Sequence, residues 1–226
     1  MYSFLMIGQS NMAGRGRPSE VLPIENSKLF VLRNGRWRAM FVPINCDRPF
    51  SGISLAESFA DMYAKHYDAN VGLIPCAEGN TSIDEWMPGE ILYDHAVLQA
   101  KLAMRTSKIA GILWHQGEAD CSEGRYGVYA EKLKILIDSL RRDLDLQNVP
   151  FLIGELGYFL SDNKNTELKN YIYINKALQE VADNDSKVGL VSAEGLTANA
   201  DMLHFNATSL REFGIRYYHV FQSIDK

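Results

Sequence analysis

The sequence is poor in several features that would each point to a function. Cysteine is scarce: Cys46, Cys76 and Cys121 are the only three in 226 residues. An odd count without metal-ligand spacing argues against both a disulfide framework and a zinc site. Cys76 falls in the apolar stretch VGLIPCA and reads as a small buried hydrophobe. No apolar run approaches the ~20 residues of a membrane span, so no membrane partner is expected. The start, MYSFLMIG, lacks a basic segment and a cleavage site. It reads as a first strand, and the expected compartment is the cytoplasm, or the exterior if a signal was removed beforehand. Positive charge is also short. Lys and Arg number 23 against 28 Asp and Glu, a net charge of −5, which argues against a nucleic-acid partner. The local excess of Arg15, Arg17, Arg33, Arg36 and Arg38 reads as a solvated surface. Two motifs are missing as well. GQSNMAGRG lacks the Lys and the spacing of a phosphate-binding loop. Met12 stands where the Gly-x-Ser-x-Gly nucleophile elbow needs its last glycine.

What is present is an ordinary globular balance, with 46% hydrophobic and 23% charged residues. The length suits one domain, 1–226. Five nearly continuous apolar runs are expected to be buried strands: Tyr2 to Gly8, Asn70 to Cys76, Ile109 to His115, Val149 to Leu156 and Lys187 to Ala193. Runs without polar alternation suit a parallel sheet covered on both faces. Helical stripes lie between them. They are Leu55, Phe59, Met62 and His66 after a Ser54 cap; Ile91, His95, Leu98 and Leu102; and Tyr126, Tyr129, Leu133, Leu136 and Leu140. Two more are Leu168, Ile172, Asn175, Leu178 and Val181, and Leu210, Phe213, Tyr217 and Phe221. Alternating strands and helices predict an α/β fold, a three-layer α/β/α sandwich of flavodoxin-like type with a five-stranded, mainly parallel sheet. Asn34-Gly35 marks a hairpin within an inserted excursion.

Open parallel sheets bind ligands beyond the carboxyl ends of their strands, so the residues that follow each strand are the candidates for chemistry. Ser10 follows the first strand, and Gly8 lets the chain turn sharply before it. Such a serine is a nucleophile or simply a turn residue. His204, before the last helix, is the candidate base, and Asp201 lies three residues upstream, within reach of its ring. WHQGEAD supplies Gln116, whose amide can donate to an oxyanion. It also supplies Glu118, which can orient a base or accept a substrate hydroxyl. His115, so near a strand end, reads as packing. CAEGNTSIDEW supplies Gly79, with an approachable backbone N–H, and Trp86, which is either a sugar platform or a core residue.

Together GQSNMAGRG, EGNTSIDEW, HQGEAD and DMLHFN resemble the ordered blocks of the SGNH-type hydrolases. More narrowly, they resemble the branch holding acetylxylan esterases of carbohydrate esterase family six and sialate O-acetylesterases. The resemblance runs from Gly8 to Phe205. It implies a serine carbohydrate O-acetylesterase without cofactor or metal, acting on acetylated sugars and most of all on acetylxylan, with O-acetyl sialic acid as the alternative. It implies Ser10 as nucleophile, His204 as base and Asp201 as its partner, with Glu118 as the rival third member. It implies an oxyanion hole from the Ser10 and Gly79 N–H groups and the Gln116 amide, and sugar contacts from Asn80, Trp86 and Glu118. One position departs from the pattern: the family often has Gly-Gly where this chain has Gly79-Asn80. A reading of another class, a carbohydrate-binding domain without catalysis, is distinguished by the reactivity of Ser10.

Overall fold

Apolar runs too uniform for a one-sided sheet become strands covered on both faces. The strands are β1 (Tyr2–Gly8), β2 (Leu29–Arg33), β3 (Arg36–Ala39), β4 (Val71–Pro75), β5 (Lys108–His115), β6 (Phe151–Gly154) and β7 (Val188–Val191), of which β3, RWRA, is the exception and largely exposed. The computed structural model describes residues 1–224. The strand order is β3-β2-β4-β1-β5-β6-β7. Every neighbouring pair is parallel except β2 with β3.

The five expected strands are β4-β1-β5-β6-β7, in the 2-1-3-4-5 order of flavodoxin-like sheets. The sheet has seven strands, not five. The excursion turns at Asn34 and Gly35, both at positive φ, and its first arm pairs parallel with β4 from Leu29↔Val71 to Val31↔Leu73. The hairpin therefore covers an edge that β4 would otherwise leave unpaired.

The helices are α1 (Ser10–Ala13), α2 (Leu55–Tyr67), α3 (Ile91–Met104), α4 (Tyr129–Leu144), α5 (Tyr171–Asp183) and α6 (Ala207–Ile224). Alternation along β1 sends Phe4 and Met6 to one face of the sheet, where Phe59 of α2 and Phe213, Tyr217 and Phe221 of α6 pack. Leu5 and Ile7 face the other side, with Tyr93 of α3, Leu136 of α4 and Leu178 of α5. Ser54 caps α2 by accepting the Ala56 N–H, and Glu57 returns a bond to the Ser54 N–H.

The α3 stripe differs most from expectation, while Ile172 of the α5 stripe and His66 of the α2 stripe are also exposed. Ile91 and Leu98 are 81% and 63% exposed. The buried face of α3 is instead Tyr93 with the small residues Ala96, Ala100 and Ala103. In α5 the apparent interruption is structural: the Asn175 side chain bonds both the N–H and the carbonyl of Leu156. Among the described residues no helix is long and apolar enough to cross a membrane.

Candidate active site

β1 lies at the switch point of the sheet, where the connections turn towards β4 on one side and β5 on the other. A crevice opens beyond such a strand. Gly8 ends β1 with φ 127, and a β-carbon there would collide with the His115 carbonyl. The turn leads directly into α1, whose first residue is Ser10.

Ser10, His204 and Asp201 form a hydrogen-bonded line. The His204 Nε2 lies 2.9 Å from the Ser10 Oγ, and its Nδ1 lies 2.7 Å from the Asp201 Oδ2. The other Asp201 oxygen accepts the Leu203 and His204 N–H groups at 2.9 and 3.0 Å. Burial pushes the Asp201 carboxyl up, but the bonds from the His204 N–H, the His204 ring and the Leu203 N–H outweigh it. Its pKa falls below the ordinary carboxylate value, so it is charged at neutral pH and holds the proton on Nδ1. The Nε2 lone pair then faces the serine hydroxyl.

The line opens into a cleft of about 570 Å³, bordered by Gln9, Ser10, Gly79, Asn80, Glu118 and His204. Other expected residues stand differently. Glu118 does not bond His204; its Oε1 accepts the Asn11 Nδ2 at 2.5 Å. The Gly79 N–H is already donated to the Asp47 Oδ2 at 3.0 Å. Gln116 is fully buried behind the cleft. Its Nε2 donates to the Thr81 carbonyl and to Asp120 at 2.9 and 2.5 Å, and its Oε1 accepts from the Tyr129 hydroxyl. Trp86 is fully buried too: its Nε1 bonds the Thr81 hydroxyl and its ring packs edge-on against Trp114. No sugar can stack on it. Asn80 borders the cleft with φ 64, a left-handed conformation that asparagine tolerates better than most residues. The backbone N–H groups of Ser10 and Asn11 have no partner among the described residues.

His115 is buried, with its Nε2 at 3.1 Å from the Glu155 carbonyl and its ring against Phe205 and Phe213. Burial lowers its pKa, so it packs as a neutral ring.

Sequence reasoning missed four residues here. Arg15, expected in solvent, is buried and bonded to the buried Asp47 through both guanidinium nitrogens. A β-carbon on Gly79 would come within 2.6 Å of the Arg15 Nη2 and 2.8 Å of Asp47, so the pair forms one wall of the cleft. Phe50 borders the cleft while 69% exposed, with the Arg15 guanidinium 5.4 Å from its ring centroid. Gln9 lends its Oε1 to the Gly117 and Ala119 N–H groups at 3.3 and 3.4 Å. The arginine between Gly14 and Gly16, just past the serine block, was a readable signal for Arg15. Nothing local marks Asp47 or Phe50.

Comparison with known proteins agrees with this architecture. A "probable carbohydrate esterase" of Arabidopsis thaliana is 28% identical over 238 residues, covering 94% of this chain and 86% of that protein. A solved structure of an Arabidopsis thaliana protein superposes with a TM-score of 0.87 at 26% identity, covering 98% of each chain. A carbohydrate acetylesterase from Xanthomonas citri shares the fold, with a TM-score of 0.73 at 17% identity over 99% of this chain and 56% of that one. The model of the carbohydrate esterase, sialic acid-specific acetylesterase family matches residues 1–223. This chain therefore belongs to that family and is a carbohydrate acetylesterase.

Proposed function

We propose that Ser10 is the nucleophile of a two-step acyl transfer that removes acetyl groups from sugar hydroxyls. The observation that carries this reading is the relay from Asp201 through His204 to Ser10, at 2.7 and 2.9 Å. His204 takes the Ser10 proton as the oxygen attacks the acetyl carbonyl. The tetrahedral intermediate collapses, its C–O bond to the sugar breaks, and the sugar oxygen leaves with the proton from His204. Water, activated by the same ring, then cleaves the acetyl-serine and releases acetate. Asp201 keeps the ring oriented and offsets its positive charge.

The free Ser10 N–H is the first oxyanion donor. The Gly79 N–H can join it when Asp47, now its acceptor, yields. Gln116 acts at one remove, by holding the Thr81 carbonyl behind the loop. Glu118 and Asn80 line the sugar side, and Phe50 replaces Trp86 as the apolar face available to a sugar ring.

Two sugars fit different features. Arg125 borders the cleft with no carboxylate at ion-pair distance among the described residues. A cation without an ion pair at the mouth favours an acidic sugar, in line with the sialic acid-specific family model. Acetylxylan, implied by the likeness to carbohydrate esterase family six, needs only a neutral ring against Phe50. Acetate release from O-acetylated sialic acid and from acetylated xylo-oligosaccharides, measured side by side, separates them. Ser10→Ala is expected to abolish release from both. Full activity in Ser10→Ala would refute the mechanism, and a strong preference for xylan would refute the acidic-sugar reading.

A further inference from the structure

Ser10 and His204 are 194 residues apart in the chain, and the loop carrying His204 is partly exposed. Something must hold them at 2.9 Å. Asp201 fixes the ring within its own loop but does not tie that loop to α1. Asn199, whose N–H bonds the His204 carbonyl, reaches the Arg15 carbonyl past the end of α1 at 3.0 Å; the tie to α1 itself comes from the residue next to Ser10. Asn11 is buried, and its Oδ1 accepts the Phe205 N–H at 3.0 Å. Its Nδ2 donates to the Leu203 carbonyl at 3.3 Å and to the Glu118 Oε1 at 2.5 Å. One amide thus grips the backbone on both sides of His204.

We infer that Asn11 is the positioning residue that joins the two halves of the relay, and that Glu118 sets the direction of its amide. The inference rests on the proposed roles of Ser10 and His204. A carboxylate only accepts hydrogen bonds, so the Asn11 NH₂ must face Glu118 and its carbonyl must face the Phe205 N–H. Reversing the amide would set two acceptors together at Glu118 and two donors together at Phe205. The Glu118 Oε2 has no partner among the described residues, so Oε1 carries the whole contact. A displacement of about 1 Å in such a constellation costs about 10²-fold in rate.

The test inverts the polarity of the contact. Asn11→Asp puts two carboxylates against each other and should lower kcat about 100-fold with KM nearly unchanged, because the defect lies between nucleophile and base and not in the sugar cleft. Glu118→Gln alone keeps an acceptor for Asn11 and serves as the single-variant reference of the cycle; it should lose less kcat than Asn11→Asp. In Asn11→Asp/Glu118→Gln the introduced glutamine amide can donate to the introduced aspartate, whose other oxygen still accepts the Phe205 N–H; only the 3.3 Å bond to the Leu203 carbonyl stays lost, so the recovery is partial. The double variant should recover to within about tenfold of the parent kcat. Loss of fold in Asn11→Asp, read by thermal melting, leaves the rescue in the double variant as the deciding measurement. No rescue in a folded double variant overturns the inference, as does an Asn11→Asp enzyme of undiminished kcat. Ser10→Ala, run in parallel, separates the failures: an active Ser10→Ala sinks the serine mechanism itself, whereas an inactive Ser10→Ala beside a fully active Asn11→Asp sinks only the positioning role.

Discussion

Replacing Asp201 by Asn should cost the enzyme far more than replacing Glu118 by Gln, and the structure sets the scale. In Asp201→Asn the new amide oxygen could still accept the Leu203 and His204 N–H groups, so the loop should keep its shape. The new NH₂ would face the His204 Nδ1, where a carboxylate oxygen now sits at 2.7 Å. The ring then escapes a donor–donor clash only by moving its proton to Nε2. That nitrogen could no longer take the Ser10 proton. The charge-assisted bond to the imidazolium is lost as well, about 1.5–3 kcal/mol. A fully buried triad aspartate replaced this way costs about 10⁴-fold. The Asp201 side chain is 48% exposed, so water substitutes in part, and the expected loss in kcat/KM is about 10²- to 10³-fold, or roughly 3–4 kcal/mol. Glu118→Gln should cost only a few-fold, since Glu118 touches Asn11 and not His204. The assay is 4-nitrophenyl acetate hydrolysis at neutral pH, with thermal melting as the control for folding. If Asp201→Asn stays within about fivefold of the parent, the orienting role of Asp201 is wrong.

The other predictions concern the cleft wall. Phe50→Ala should raise KM for acetylated sugars about tenfold, because burying roughly 60 Å² of ring against a sugar is worth about 1.5 kcal/mol; Phe50→Trp should restore it, and an unchanged KM in steady-state kinetics would remove Phe50 from the site. Burial raises the Asp47 carboxyl, but Arg15 and Ser51 outweigh it and hold its pKa below the ordinary value. A depressed carboxylate stabilises the fold above its unfolded pKa of about 3.9, and that contribution is lost as pH falls through the folded value. Asp47→Asn, which strands the buried Arg15, should therefore cost about 3–5 kcal/mol at neutral pH. It should also flatten the acid limb of stability measured by urea unfolding from about pH 6 down to about pH 2; an acid limb identical to the parent's would contradict this.

The parts that were legible in the sequence are those encoded locally. Five strands announced themselves because burial on both faces removes polar alternation, and Ser54 marked the start of α2 by its capping chemistry. The Asp201–His204 contact was readable because a short spacing within one loop brings carboxylate and ring together. The misreadings have non-local causes. The excursion became β2 and β3 because β4 offered an open edge, which no window around Asn34-Gly35 shows. The buried face of α3 is made largely of alanines, so counting large apolar residues selected its solvent face. Trp86 and Gln116 sit at plausible spacings, but the chain turns their side chains inward to Thr81, Trp114 and Asp120. Arg15 looked like surface charge because its partner Asp47 is 32 residues away. Phe50 looked like loop, since only the folded cleft gives its exposure a meaning.

The most direct test of the account is covalent. The enzyme is treated with a fluorophosphonate, and the adduct is located by peptide mass spectrometry while residual acetylesterase activity is followed. A single adduct on Ser10, growing in proportion to the activity lost and formed at least about 100-fold more slowly in His204→Ala, is the predicted result. An adduct on another residue, or full activity in enzyme completely labelled at Ser10, would contradict it.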